Sequence, residues 1–292
     1  MLVLVGPTGS GKSRTAFELA QALGGEIVVA DSRQVYRGLR IGSNQPSIEF
    51  QAQVRHHLLE VADPRLPFNL ADFLALAAPA IQDIGARGRL PIVEGGSMLY
   101  VRALCEGLTL GEVPPDPVLR QSLSDLPRDE LRTRLDQLDP GAEVDRDNPV
   151  RMIRAIELLT AKGAPLSRLR ERRPPPWEAL RLGLEPASDL AQVLVARSQQ
   201  MLDRGLIRET ADLISSGVGP RSQALSGIGY REAVAHLEGR LKLEQVADSI
   251  ALASHRYARR QMRWWQADAG IRWLPAGTPI ARILGLVKDQ LN

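Results

Sequence analysis

The chain has 292 residues, 44% hydrophobic and 24% charged, with a formal net charge of +3. That length can bury a sizeable core as one large domain or two, and the balance excludes a disordered or fibrous protein. One cysteine, Cys105, excludes an intrachain disulfide, and no apolar run approaches the roughly 18 residues needed to span a bilayer.

The first element is a strand at Leu2–Val5, which runs into Gly6-Pro7-Thr8-Gly9-Ser10-Gly11-Lys12-Ser13. A helical segment follows at 14–23. Strand, glycine-rich loop and helix, with G-x-x-x-x-G-K-S spacing, is the context of a phosphate-binding P-loop. The glycines let backbone N–H groups turn toward phosphate oxygens, and the helix start adds partial positive charge. Lys12 supplies a mobile cation, and the Ser13 hydroxyl can ligate Mg²⁺. The strand leads straight into this loop and leaves no room for a signal peptide, so the expected location is the cytoplasm.

Further strands are expected at 27–30 and 90–93, with a helix at 71–84. This is the alternation of a doubly wound parallel sheet. Proline-dense residues 113–117 then break the pattern. Residues 118–173 carry helical periodicity without a convincing strand, and a second break falls at 172–177. A strand at 180–184 follows, then helices at 190–204, 207–215, 230–237 and 243–266, and a last strand at 271–274. The expected fold is α/β: a P-loop NTPase-like parallel sheet core formed by 1–113 with 178–292, interrupted by an all-helical insertion at 114–177.

A P-loop protein usually has a second acid at a strand end to organise Mg²⁺ and water. Asp31 and Glu94 both qualify. Asp31 can accept a proton from an attacking hydroxyl or amine, or can merely cap the next turn. Gln34, in the same loop, offers an amide suited to an adenine edge, and Tyr36 can stack or pack. Gly95-Gly96-Ser97 forms another backbone-rich turn. His56-His57 lacks the convergent ligands of a metal site and reads as core or loop.

Arginine dominates the basic residues: of 37 Lys and Arg, only Lys12, Lys162, Lys242 and Lys288 are lysine. Codon bias and phosphate contact both produce such a skew. Two stretches concentrate it. Residues 151–173 hold seven basic residues, Arg170 and Arg172 among them, against two acidic ones. Residues 254–265 hold four arginines and three aromatics without an acid, which suits either RNA contact or a solvated helix face. A small phosphorylated ligand together with a polynucleotide suggests transfer of a group onto RNA. A small-molecule P-loop kinase, an enzyme prenylating free adenylate, and an RNA-binding protein with a degenerate P-loop are the alternatives.

Together these motifs resemble the bacterial tRNA dimethylallyltransferases, also called tRNA isopentenyltransferases, almost end to end. The family's G-P-T-A-S-G-K-S/T is matched by Gly6 to Ser13, with Gly9 for alanine. Its D-S-x-Q-V-Y is matched by Asp31-Ser32-Arg33-Gln34-Val35-Tyr36, and its H-H-L by His56-His57-Leu58. Its A-D-F is matched by Ala71-Asp72-Phe73, and its G-G-T-x-L-Y by Gly95 to Tyr100, with Ser97 for threonine. The insertion motif N-D-x-x-R-x-x-R-A-x-E is read through Asp147-Asn148-Pro149-Val150-Arg151-Met152-Ile153-Arg154-Ala155-Ile156-Glu157, with its first two residues reversed. Gly229-Tyr230-Arg231-Glu232 and Tyr257-Ala258-Arg259-Arg260-Gln261 complete the set. This chain departs from the family in three further places. Gly42-Ser43-Asn44-Gln45-Pro46 replaces the frequent G-T-A-K-P and lacks its lysine, Glu94 replaces an apolar residue, and Ser226 replaces a common Arg or Gln.

The resemblance implies a reaction. The dimethylallyl group of dimethylallyl diphosphate would move to the exocyclic N6 of the adenosine 3′ of the anticodon, in tRNAs reading codons that begin with U. The P-loop would then hold a diphosphate and not a nucleotide. Catalytic roles fall to Asp31, Thr8 and Lys12. Diphosphate binding falls to Gly6, Pro7, Thr8, Gly9, Ser10, Gly11, Lys12, Ser13 and Arg197, with Mg²⁺ at Ser13. Contacts to the anticodon stem-loop fall to Asp31, Ser32, Arg33, Gln34, Ser97, Arg120, Val150, Arg151, Met152, Ile153 and Arg154, and to Ser226, Gly227, Ile228, Gly229, Tyr230 and Arg231. A monomer with no membrane partner is expected.

Overall fold

Leu2–Val5 forms the first strand, β1, with all four side chains buried. A strand covered on both faces reads as an unbroken apolar run, as parallel strands do. The structure, a computed structural model, describes residues 1–108, 113, 116–169 and 173–291. They group into two compact units, Met1–Val101 with Trp177–Asn292, and Arg102–Pro176.

The first unit follows β1 with α1 (Lys12–Leu23), β2 (Glu26–Val29), α2 (Ile48–Gln53), β3 (His56–His57), α3 (Leu70–Ala86) and β4 (Pro91–Glu94). Helix α4 (Met98–Glu106) carries the chain into the second unit. The second unit contains α5 (Pro117–Ser124), α6 (Arg128–Leu138), α7 (Pro149–Lys162) and α8 (Leu166–Leu169). The chain then completes the first unit with β5 (Leu180–Leu184), α9 (Leu190–Asp203), α10 (Leu206–Ser215), α11 (Tyr230–Leu237), α12 (Leu243–Gln266), β6 (Ile271–Leu274) and α13 (Ile280–Leu291).

The described strands make one sheet in the order β3-β2-β4-β1-β5-β6, with every pair parallel. One face packs α1 and α13 through Phe17, Leu19, Ile283 and Val287 against Leu2, Leu4, Ile27 and Leu182. The short α2, capped by Ser47, stacks Phe50 on Phe17 with centroids 4.1 Å apart. Among the described residues, no helix is long and apolar enough to cross a membrane.

The helical unit is built by local capping. Asp116 and Asn148 accept hydrogen bonds from the first turns of α5 and α7, and Pro117 and Pro149 occupy first-turn positions where a missing N–H costs nothing. Leu123, Leu131, Leu135, Met152, Ile156 and Leu166 form its core. The unit boundary falls within α4, ahead of the expected break at 113–117, of which Pro114 and Pro115 lie outside the described residues. Gly107 explains the earlier boundary: its carbonyl accepts the Arg173 N–H at 2.9 Å, which ties the entry of the unit to its exit.

Candidate active site

Parallel strands place their carboxyl ends along one edge of a sheet, where the following loops form a crevice. Here β4 lies between β2 and β1, and Glu94 is in register with both Val29 and Leu4. The loops after Val5, Val29 and Glu94 therefore meet, and they line a cavity of about 330 Å³.

In the P-loop, Gly6, Gly9 and Gly11 have φ of 150, 85 and 81°. A Cβ on Gly9 would also approach Leu190 Cδ1 to 2.7 Å, so the alanine usual in the resembling family would need a different backbone or a shifted Leu190. Helix α1 starts without a side-chain cap, which leaves its first N–H groups available to an anion. Ser10 Oγ is buried without a hydrogen-bond partner among the described residues. Arg197, on α9, donates from Nη1 to Thr8 Oγ1 at 2.8 Å. Ser13 Oγ donates to Glu94 Oε1 at 2.8 Å.

Lys12, Arg197, Asp31 and Glu94 are close enough to influence one another electrostatically. Desolvation pulls Lys12 below the ordinary lysine range; Glu94 opposes that shift and Arg197 adds to it. Desolvation likewise lowers Arg197, against Asp31 and Glu94. It raises Glu94, against Lys12 and Ser13. A site with such opposed charges, partly shielded from bulk water, suits an anionic ligand.

Asp31 both caps and faces the cavity. Its Oδ1 accepts the Arg33 N–H at 2.8 Å and the Gln34 N–H at 3.3 Å, which fixes the carboxylate. Oδ2 lies on the Gly96 side of the cavity and accepts no hydrogen bond from the described residues. The two sequence readings of Asp31 are thus compatible, one for each oxygen. Gln34, which lines the cavity, donates one amide hydrogen to the Ser43 carbonyl at 3.3 Å.

The second loop is latched to the first. Ser97 Oγ accepts the Ser32 N–H at 2.8 Å, and Ser97 N–H donates to Ala30 O at 3.1 Å. A Cβ on Gly95 would sit 2.1 Å from Ala30 O, so only glycine permits this approach. Sequence reasoning missed the residue that joins this loop to the P-loop. Gln261 Oε1 accepts the Thr8 N–H at 2.9 Å, and its Nε2 donates to Gly96 O at 2.9 Å. Tyr257 Oη donates to the same carbonyl at 2.8 Å. The available signal was periodicity: Ile250, Ser254, Tyr257 and Gln261 lie four, three and four residues apart on α12 and face the cavity. Arg256, Arg259 and Arg263 are exposed, whereas Trp265 is buried.

Ser226, Gly227, Ile228 and Arg231 also line the cavity. Tyr230 does not fit its expected polynucleotide contact. It is fully buried, donating from Oη to Glu209 Oε1 at 2.6 Å and accepting the Gly42 N–H at 3.1 Å. Gly229, at φ 95°, lets α11 begin close to Gly42. Both residues thus position the 42–44 loop. Tyr230→Phe should cost roughly 1–3 kcal/mol in urea unfolding, since Gly42 and Glu209 lose a buried partner. A loss below about 0.5 kcal/mol would show that the hydroxyl holds nothing in place.

In the helical unit, Arg120 makes a two-point contact with the buried Glu157 at 2.7 and 2.9 Å. Arg154 reaches the same carboxylate at 3.3 Å and the Val113 carbonyl at 2.7 Å. Met152 and Ile153 belong to the unit's core, so apolar burial, not a polynucleotide, claims their side chains. Val150 and Arg151 are exposed; Arg151 lies 3.4 Å from Asp145. Arg170 and Arg172 lie outside the described residues. His56-His57 forms the edge strand β3, and His57 Nε2 lies 2.7 Å from Glu26 Oε2. Arg87 hydrogen bonds hold that carboxyl down at about 2.

Among the described residues, no group of three or more His, Cys, Asp or Glu can hold a metal ion. A cation at the P-loop therefore needs ligand oxygens from a bound substrate. The Ser13 hydroxyl and the Glu94 carboxylate beside it fit a Mg²⁺ carried in with phosphates, the usual mode for that ion.

The family description IPP transferase matches residues 34–268. The chain belongs to this family. A tRNA dimethylallyltransferase of Thermomicrobium roseum is 42% identical over 96% of this chain and 87% of its own length. The solved tRNA isopentenylpyrophosphate transferase of Bacillus halodurans is 33% identical, with a TM-score of 0.75 over 99% of this chain and 96% of its own. A eukaryotic dimethylallyltransferase solved acting on tRNA has a TM-score of 0.87 over all of this chain and 79% of its own, at 24% identity, and it supports the fold.

Proposed function

We propose that this transferase moves the dimethylallyl group of dimethylallyl diphosphate onto the exocyclic N6 of the adenosine 3′ of the anticodon, in tRNAs reading codons that begin with U. The observation that carries the reading is the meeting of an uncapped P-loop with a held carboxylate, Asp31, in one cavity. The P-loop amides, Lys12, Arg197 and Thr8 bind the diphosphate. N6 forms a bond to the allylic carbon as the carbon–oxygen bond to diphosphate breaks, and the N6 proton passes to Asp31 Oδ2. Ser13 would hold a Mg²⁺, and that ion, when bound, would supply positive charge to the diphosphate.

The adenosine must leave its stack to reach such a cavity. Gln34 and Ser97 line the cavity and would receive it, and Arg33 and Arg231, which line it too, would meet the flanking backbone. The test compares anticodon stem-loops carrying adenosine or guanosine at the 3′-adjacent position. Mass spectrometry should find one dimethylallyl group on the adenosine substrate. An equal gain on guanosine, which lacks N6, would sink the assignment.

Arg151 and Arg154 should differ in tRNA binding. Arg151→Ala should reduce the magnitude of the log K against log salt slope by about 0.7–0.9, as one lost phosphate contact does. Arg154→Ala should chiefly destabilise the helical unit, because it removes a partner of buried Glu157. Salt titrations with the stem-loop and urea unfolding separate the two; a full slope change in Arg154→Ala at wild-type stability would reverse the assignment.

A further inference from the structure

Glu94 ends β4, flush with Leu4 of β1 and Val29 of β2. It is 5% exposed, and it accepts the hydroxyl hydrogen of Ser13, the P-loop residue that follows the lysine. Burying a carboxylate is costly unless partners compensate, and an apolar residue would complete the strand at no such cost. Deep in the cavity two carboxylates, Asp31 and Glu94, stand against two cations, Lys12 and Arg197. At the rim, Arg231 is paired with Glu232, Arg33 donates to the Gln223 carbonyl, and Arg260 lies over the Tyr257 ring. The four inner side-chain charges thus cancel one another, and the excess positive charge lies at the rim, on Arg33 and Arg260.

We infer that Glu94 is a magnesium ligand that makes diphosphate binding conditional on the cation. Its carboxylate and the Ser13 hydroxyl share the ion that the diphosphate brings, and without that ion Glu94 repels the diphosphate. A carboxylate at the end of the strand beside β1, hydrogen-bonded to the P-loop hydroxyl, is the placement by which P-loop proteins hold Mg²⁺. Mg²⁺ prefers one or two protein oxygens together with substrate phosphates, and the donor set here offers that. The inference rests on the diphosphate reading proposed above.

The test is calorimetric titration of the full chain with inorganic diphosphate, with and without Mg²⁺. Mg²⁺ should tighten binding by about 30-fold or more in the wild type. In Glu94→Gln, diphosphate affinity with Mg²⁺ should fall by about 10–100-fold. Without Mg²⁺ the same variant should bind diphosphate more tightly than the wild type, because a repelling carboxylate is gone. A merely structural role moves both affinities the same way, and that result overturns the inference. Glu94→Val, an ordinary strand residue, repeats the test should the amide disturb folding. Equal wild-type affinities with and without Mg²⁺ overturn the inference with no variant at all. Intact transfer to tRNA alongside a sign pattern that fails overturns Glu94 alone. Absence of any diphosphate binding overturns the donor reading with it.

Discussion

Asp31→Asn is expected to lower turnover by roughly 10²–10⁴-fold while tRNA affinity stays within a few-fold. Asparagine keeps Oδ1, so it can still accept the Arg33 and Gln34 N–H groups that shape the loop. What it replaces is Oδ2, the oxygen that faces the cavity. The variant thus separates the capping role from the proton-accepting role in one substitution. A base acts in the transition state, so ground-state binding survives its loss. Single-turnover measurements with saturating dimethylallyl diphosphate and an anticodon stem-loop decide it. Near-normal turnover would remove Asp31 from the chemistry and leave it a turn cap.

Lys12→Ala is expected to reduce kcat/KM for dimethylallyl diphosphate by roughly 10²–10³-fold, the usual loss for one aimed electrostatic group in a water-poor site. The ammonium sits among Glu94, Arg197 and Asp31, and desolvation already disfavours its charge. A departing diphosphate would develop negative charge beside it, which the ammonium would stabilise. tRNA affinity should be unaffected, and ATP should be neither hydrolysed nor a strong competitor in either protein. Initial rates across prenyl donor concentrations, with an ATP hydrolysis control, read both statements. ATP turnover coupled to product would return the P-loop to nucleotide chemistry.

Much of the core was legible because its signals are local. β1 was readable as a short apolar run, β5 and β6 as short strand-like segments, and α11 and α12 as helical stretches. β2 and β4 lie one residue from their expected positions, which puts Glu94 inside a strand instead of after it. β3 is two residues long and is held by pairing with Ile27 and Val28, so no pattern of its own could announce it. α2 owes its place to Phe50 on Phe17, a contact between distant residues.

The site divides along the same line. The P-loop and Asp31 follow from spacing and strand ends. Arg197 comes from a helix far along the chain, and only packing shows it on Thr8. Gln261 and Tyr257 lay inside a stretch read by its arginines, yet their role comes from the opposite helix face. Arg120 and Arg154 show the reverse case. Net charge suggested a free basic face for Arg154, and the family resemblance a tRNA contact for Arg120, yet one buried acid, Glu157, pairs with both.

The most direct test of prenyl transfer to tRNA uses the full chain, radiolabelled dimethylallyl diphosphate and Mg²⁺, with unmodified tRNA or AMP as acceptor. Label should enter tRNA and remain, after nuclease digestion, on the adenosine 3′ of the anticodon, with none in AMP. Label in AMP, or none in tRNA while ATP donates phosphate to a small molecule, would contradict the account.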